Sequence, residues 1–537
     1  MLLTDSNVEC CTSTSPPVPP PPPSPPARDS FDRISDYLCE DILSHLAPEQ
    51  KLRLECVSQQ FQRTIFRRQR RLVIAPGTNE WSRVKNAILK RFVGEYNVKH
   101  RIDGKLFDQL LAKFRHIDDV VINYNLDTGN MDELFASLME HCIRIRRLHA
   151  NFFNISERTL DQFGQVFGHS LRVIKSSYVS NGKIPYSFAL LKHCSNLVSL
   201  KSHEFLSEQL WNNVYNTMVE EEDEVEDDEE EDPQQQPQPQ QPQQKEVLPN
   251  LKSAQLSVTS EEGVSQLERF SDLYMNKLEK IQVELVDYIY RSHYLVNFIF
   301  PLGICKFRNL RQCLLTLKYN GGYDADFVWI NNGLSGIAQD CPLICHLGID
   351  FIGHQDFFIN SCLQALPCFK TLPRLSLSVS MYNKGLAFPP MPSVQQLDLA
   401  YPRLYQCTHL KQLVQSYPAV TTLTLSWMYF FNDVLLNSLI GMKKLQRLKI
   451  GGLCPPDVTT NGLTTFLNTA PQIRSVVFDK KPKVTTKTVE MLVEFVGKRP
   501  SVYYDFDFCL RDGEPEERRQ FEQYFSRVPL PKNMAIR

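Results

Sequence analysis

A six-residue pattern, apolar-x-x-apolar-x-apolar, returns through most of this 537-residue chain and constrains its fold more than any other feature. It is clearest in the segments starting at Leu372 (with Leu375 and Leu377), Val394 (Leu397, Leu399), Val420 (Leu423, Leu425), Leu445 (Leu448, Ile450) and Ile473 (Val476, Phe478). Those starts are 22, 26, 25 and 28 residues apart. Weaker copies begin at Ile117, Ile145, Leu171, Leu197, Leu251, Leu278, Leu310 and Ile344, with steps of 28, 26 and 26 between Ile117 and Leu197. The step from Leu197 to Leu251 is 54 residues, twice the period. At about 150 residues per domain the length suggests three or four domains, but an array replaces them with one long body.

Alternation along a strand sends the apolar positions of each copy into a core and the intervening residues outward. Between strands, Leu435, Leu436, Leu439 and Ile440, or Leu463, Phe466 and Leu467, have the spacing of one apolar helix face. A single strand-helix unit cannot cover its own faces; stacked units share a continuous core. The strand signature and spacing resemble leucine-rich repeats, whose period is about 20 to 29 residues. That resemblance implies an α/β solenoid, a curved parallel sheet with helices on its convex side. The stretch from His193 and Cys194 to Leu197 is similar to the cysteine-containing repeat class, although most copies lack the cysteine.

The array is interrupted by a charge run. Glu220–Asp232 holds twelve carboxylates in thirteen positions, broken by Val225, and a Gln/Pro tract follows to about Gln244. The net charge of −2 includes these carboxylates, so the rest of the chain carries +10. Such a segment has no apolar area to offset its ordering entropy, and 216–247 reads as a disordered loop. Pro16–Pro26, with nine prolines in eleven residues, reads as part of a disordered tail, 1–28. Over the whole chain, 42% hydrophobic and 22% charged residues are the composition of a chain with a real core. No stretch approaches the roughly 18 apolar residues of a membrane span; the longest, near Tyr294–Cys305, is broken by Asn297 and Pro301. Met1–Glu9 lacks the basic start of a secretory signal. Fifteen cysteines without a CxxC pair fit buried thiols in a reducing compartment, so cytoplasm and/or nucleus is expected.

Before the array, Leu38, Ile42, Leu43 and Leu46 mark one helix face, and Pro48 suits the first turn of a second. Leu52, Leu54, Cys56 and Val57 follow, and Ser58 caps a third helix presenting Phe61 and Ile65. Three short helices bury too little area to stand alone. The passage Asp32–Phe61 resembles an F-box, with Leu38, Ile42, Leu43, Leu46, Leu52, Val57 and Phe61 at the family's apolar positions. Cys39 replaces its usual proline, Asp41 its glutamate and Phe61 its commoner tryptophan. The resulting organisation is tail 1–28, F-box 29–75, repeats 76–215, acidic and Gln/Pro loop 216–247, repeats 248–515 and C-terminal tail 516–537.

Catalytic motifs are missing: the sequence has no GxxxxGK[ST], GxGxxG, HExxH or GxSxG. Cys341, Cys345 and His346 lack a second ligand pair and read as strand-flanking core. Asp505 and Asp507 read as a solvent-facing edge near the end of the array, and Arg67, Arg68, Arg70 and Arg71 as a solvated helix end. No cofactor, metal or catalytic residue is assigned. F-box proteins with leucine-rich repeats resemble substrate receptors of Skp/cullin/F-box ubiquitin ligases, in which catalysis belongs to other subunits. The resemblance implies that the F-box helices hold a Skp-type adaptor, and through it a cullin. The solenoid then presents an unidentified protein substrate at outward positions such as Arg374, Asp398, Thr422, Arg447 and Lys449. A repeat scaffold acting outside any ligase is the alternative, with the helices as its terminal cap. Nucleic-acid binding ranks last, because basic and aromatic residues do not interleave.

Overall fold

The computed structural model describes 70–74, most of 108–201, most of 248–510 and scattered residues to 536; before Arg70 it describes Leu38 and Asp41. The expected tail 1–28, the acidic and Gln/Pro loop and nearly all of the helical module lie outside the described residues. The strands all belong to a unit formed by 70–77 and 97–537.

Among the described residues, sixteen parallel strands form one sheet in chain order. Its first half comprises β1 (Arg71–Ile74), β2 (Asp119–Ile122), β3 (Arg147–Ala150), β4 (Val173–Ser176), β5 (Ser199–Lys201), β6 (Ser253–Val258), β7 (Lys280–Asp287) and β8 (Gln312–Tyr319). It continues with β9 (His346–Ile352), β10 (Arg374–Val379), β11 (Gln396–Ala400), β12 (Thr422–Met428), β13 (Arg447–Gly452) and β14 (Ser475–Phe478). After β15 (Lys483–Val484), β16 (Tyr504–Asp507) and β17 (Cys509–Leu510), the chain ends in β18 (Met534–Ile536); β15 and β17 form a separate pair. Each of β2 to β14 starts two residues after a copy read from the sequence, from Ile117 for β2 to Ile473 for β14. The expected leucine-rich-repeat solenoid is therefore the fold.

In-register pairing turns the sequence pattern into ladders. Leu347, Leu375, Leu397, Leu423, Leu448 and Val476 are successive neighbours across six strands, and Ile349, Leu377, Leu399, Leu425, Ile450 and Phe478 form a second row. Both rows are buried. Helices supply the other half of the core: Leu134, Phe135 and Leu138 on Met131–His141, and Leu160, Phe163 and Phe167 on Glu157–Phe167. Phe135 and Phe163 meet at 4.8 Å between ring centroids, so neighbouring repeats interlock through aromatic contacts.

Register is fixed at the head of each strand. The carbonyl one residue after each copy's first apolar position accepts the two N–H groups at the next strand's entry, at 2.7–3.2 Å. The series runs from Arg70 through Asp118, Arg146, Arg172 and Val198 to Gln446; at Pro373, which has no N–H, the step keeps one bond. Val198 O receives Lys252 and Ser253, so β5 and β6 are direct neighbours in the sheet across the 54-residue step. A turn launches each strand: Leu197 N–H donates to Cys194 O, Leu310 to Phe307, Val420 to Tyr417 and Leu445 to Met442. The residue three before the strand's lead is buried as Cys142, Cys194, Cys341, Phe114, Phe307, Tyr417 or Met442. That site takes any apolar group of suitable size, which is why most copies lack the cysteine.

Two polar devices tie repeats together. Asn196 and Asn250 donate their side-chain amides to His169 O and Ser195 O of the preceding turn, at 2.9 and 3.0 Å. Asp132 accepts from the N–H of Ser156, whose hydroxyl caps the helix Glu157–Phe167; Asp433 does the same for Thr459, which caps Thr460–Thr469. The approach is close enough that a Cβ at Gly462 would run into the Asp433 carboxylate.

The sheet extends past 76–515 at both ends. Arg71–Ile74 was read with the helical module, yet it pairs with β2, Leu72 against Val120 and Ile74 against Ile122. Met534–Ile536, read as tail, pairs with β16 and covers that end of the sheet. No described helix is long and apolar enough to cross a membrane.

Leu397 is 1% exposed, between Leu375 and Leu423. Leu397→Ala is expected to cost about 2–5 kcal/mol, read as a lower urea midpoint, whereas outward-facing Thr422→Ala stays within about 0.5 kcal/mol.

Candidate functional site

Parallel register lines the outward side chains into rows across the sheet. One row holds His346, Arg374, Gln396, Thr422 and Arg447; the next holds Gly348, Ser376, Asp398, Thr424 and Lys449. The sequence-selected positions Arg374, Asp398, Thr422, Arg447 and Lys449 thus share one face over four adjacent strands. Thr422 is half-buried, and Arg447 and Lys449 are exposed.

Arg374 and Asp398 are joined to each other. Oδ2 of Asp398 accepts from Arg374 Nη2 at 3.0 Å, Arg374 Nε at 3.3 Å, Ser376 Oγ at 3.2 Å and Gln396 Nε2 at 3.3 Å. His346 extends the cluster, its Nε2 lying 3.0 Å from Ser376 Oγ. Burial, then the Arg374 charge and Lys280, pull the His346 pKa down to about 4 against the opposing influence of Asp398. The imidazole is therefore neutral near pH 7. With the Ser376 proton directed to Asp398, the His346 Nε2–H donates to the serine oxygen. This is a polar brace across three strands; the histidine does not draw the proton from the serine as a catalytic base would.

The other sequence-selected groups separate in space. Cys341 is buried, with its thiol against Ile304 O at 3.5 Å, while His346 faces outward toward Ser376. Cys345 is exposed, not buried as expected: its position at the strand's entry takes it out of the core. Among the described residues no group of three His, Cys, Asp or Glu is arranged to hold a metal ion. Burial pushes the Cys142, Cys194 and Cys341 thiols up to about 12, which keeps them protonated. The strand carrying Asp505 and Asp507 lies between β14 and β18, so it is not the outermost. Arg71 opens β1 instead of ending a helix, and its guanidinium meets Asp119 at 3.6 Å.

The weaker N-terminal copies place Arg147, His149, Lys175, Lys201 and Lys280 on the same face. The alternation rule, applied to those copies as to the strong ones, finds them. Trp427 carried no sequence signal. It sits at the end of β12 with φ 61°, where the register shifts between Leu425 and Met428, and it is 43% exposed; nearby Phe430 is 70% exposed. A left-handed tryptophan costs on the order of 1–3 kcal/mol of strain. Of the adaptor-contact positions, Leu38 is helical and 47% exposed; Ile42, Leu43, Leu46, Leu52, Val57 and Phe61 lie outside the described residues.

The His346 pKa is lower folded than the ordinary 6.5, so between pH 6.5 and about 4 the unfolded chain takes up a proton that the folded imidazole refuses. Stability from this site therefore falls as pH drops through that window. An NMR titration is expected to place the His346 midpoint near 4, and His346→Asn to lose less stability than wild type between pH 7 and pH 5. A folded-state midpoint near 6.5 would contradict the brace.

No protein-family profile matches the chain, and no curated protein matches it in sequence. The fold is similar to Rad7 in the yeast Rad7–Elc1 complex, at 14% identity and a TM-score of 0.35, covering 81% of this chain and 92% of that one. It is also similar to the leucine-rich repeat-containing protein LegL7 from Legionella pneumophila, at 12% identity and a TM-score of 0.30, covering 80% and 97%. What the strands, turns and ladders establish by themselves is the leucine-rich-repeat solenoid fold.

Proposed function

We propose that this chain is the substrate-recognition subunit of an SCF-type ubiquitin ligase, non-catalytic itself and acting in the cytoplasm or nucleus. The F-box-like passage Asp32–Phe61 holds a Skp-type adaptor, and the adaptor a cullin. The outward face of the sheet holds a protein substrate for ubiquitination and degradation. Acceleration comes from raising the substrate's local concentration beside the charged conjugating enzyme.

The observation that carries the reading is the pairing of two unlike modules. An array of strands presents aligned outward rows for a macromolecule, and it follows a passage whose sequence carries F-box apolar positions. Such helices are too small to be stable alone, and an adaptor would cover their apolar face. The exposed Trp427 and Phe430 are of the residue kind that dominates binding at protein interfaces. A scaffold outside any ligase uses the same face but needs no adaptor.

Co-expression with a Skp-type adaptor, followed by size exclusion, separates the two. Wild type is expected to elute as a one-to-one complex, and Ile42→Asp/Leu46→Asp to lose the adaptor while the solenoid keeps its urea midpoint. A folded wild-type chain that never retains the adaptor would overturn the ligase reading and leave the scaffold.

A further inference from the structure

The outward face is not uniform in charge. From β3 to β7 its first two rows present Arg147, His149, Val173, Lys175, Ser199, Lys201, Ser253, Gln255, Lys280 and Gln282. No carboxylate occurs among them. Acidic groups bound the stretch: Asp119 on β2, which meets Arg71 and Arg147 at 3.6 and 3.8 Å, and Glu284 farther along β7, paired with Lys318. Lys175 and Lys201 are direct register neighbours, and neither has an ion-pair partner among the described residues. Strands lie about 4.8 Å apart, so these ammonium groups hang from adjacent rungs, an arrangement that costs stability without a counter-charge.

Resting on the reading that this face receives the protein partner, we propose that the β3–β7 basic stretch is the docking site for an extended acidic peptide segment of that partner. Charge complementarity selects the occupant. Five strands span roughly 20 Å, which an extended peptide of about six residues covers. Lys175, Lys201 and Lys280 would meet its carboxylates, and the amides of Gln255 and Gln282 its backbone, with Arg147 held by Asp119 at the edge of the stretch. His149 stands beside them; burial, then Lys175 and Lys201, lower its pKa, with Asp119 opposing. Burial and Lys175 lower the Lys201 pKa against the opposing pull of Glu284, and a bound anion would raise it further. A nucleic-acid duplex suits the site less well, because the carboxylates of Asp119 and Glu284 border the basic stretch and would face its phosphates.

The test is fluorescence anisotropy of a labelled oligoglutamate peptide on the full-length chain, with adaptor retention measured on the same preparations. Saturable binding is expected, weakening as salt rises and reduced on the order of tenfold or more by Lys175→Glu/Lys201→Glu. Lys443→Glu/Lys444→Glu, exposed in the turn before β13 and outside the stretch, should leave it unchanged; Lys175→Ala/Lys201→Ala serves where the charge reversal does not fold. Absence of binding overturns the proposal, as does binding indifferent to the lysine changes or weaker than that of duplex DNA at the same ionic strength. Binding seen only after deletion of Glu220–Asp232 also overturns it, the occupant then being the chain's own acidic run. Adaptor retention without peptide binding sinks this inference alone; peptide binding without adaptor retention sinks the ligase reading alone.

Discussion

The carbonyl at the head of each strand, accepting two N–H groups from the next, is the contact on which the rest of this structure depends. It recurs from Arg70 to Gln446 and pins the first residues of every strand at one height. Because side chains alternate with a period of two, a slip of one residue would turn every leucine of a strand outward and every charge inward. The leucine ladders are thus a consequence of the entry bonds as much as of hydrophobic burial. The turn before most strands, closed on the carbonyl three or four residues back, delivers the chain to that bond.

This explains what was legible in the sequence. The apolar spacing gives each strand's position because it is the spacing of the core, and β2 to β14 begin where it says. What escaped were strands whose leaders differ. Arg71–Ile74 follows Gln69, where other copies have an aliphatic residue, and Met534–Ile536 follows a proline-rich stretch; both are held by pairing with a neighbouring strand, β2 and β16 respectively. Pairing is nonlocal, and a local motif cannot report it. The same limit applies to side-chain chemistry. Arg374 and Asp398 looked like two independent contact positions, because 24 residues separate them; only the register shows that they neutralise each other and tie in Ser376, Gln396 and His346. Trp427 was invisible for another reason: its exposure comes from a register shift and a left-handed backbone that no residue pattern encodes.

A solenoid in which each repeat touches its neighbours alone tolerates insertion wherever the entry bond survives. Between Leu197 and Leu251 the chain inserts an extra period's length, including the acidic run, yet Val198 O still receives Lys252 and Ser253. Loop-closure entropy grows slowly with length, so such an insertion costs little beyond its first residues. A feature of this size can therefore be carried without disturbing the ladder on either side.

The face built by these constraints has two characters. From β9 to β11 its charges are satisfied internally, with one carboxylate oxygen taking four donors and a histidine kept neutral beside it. Groups already paired are costly to recruit for a partner, since the partner must replace what it displaces. From β3 to β7, Lys175, Lys201 and Lys280 have no ion-pair partner among the described residues. An oppositely charged ligand there gains attraction and also relieves the repulsion between Lys175 and Lys201, whereas at Asp398 it would break four hydrogen bonds to make its own. Selectivity along a surface of nearly constant geometry then comes from where the fold has left its charges uncompensated.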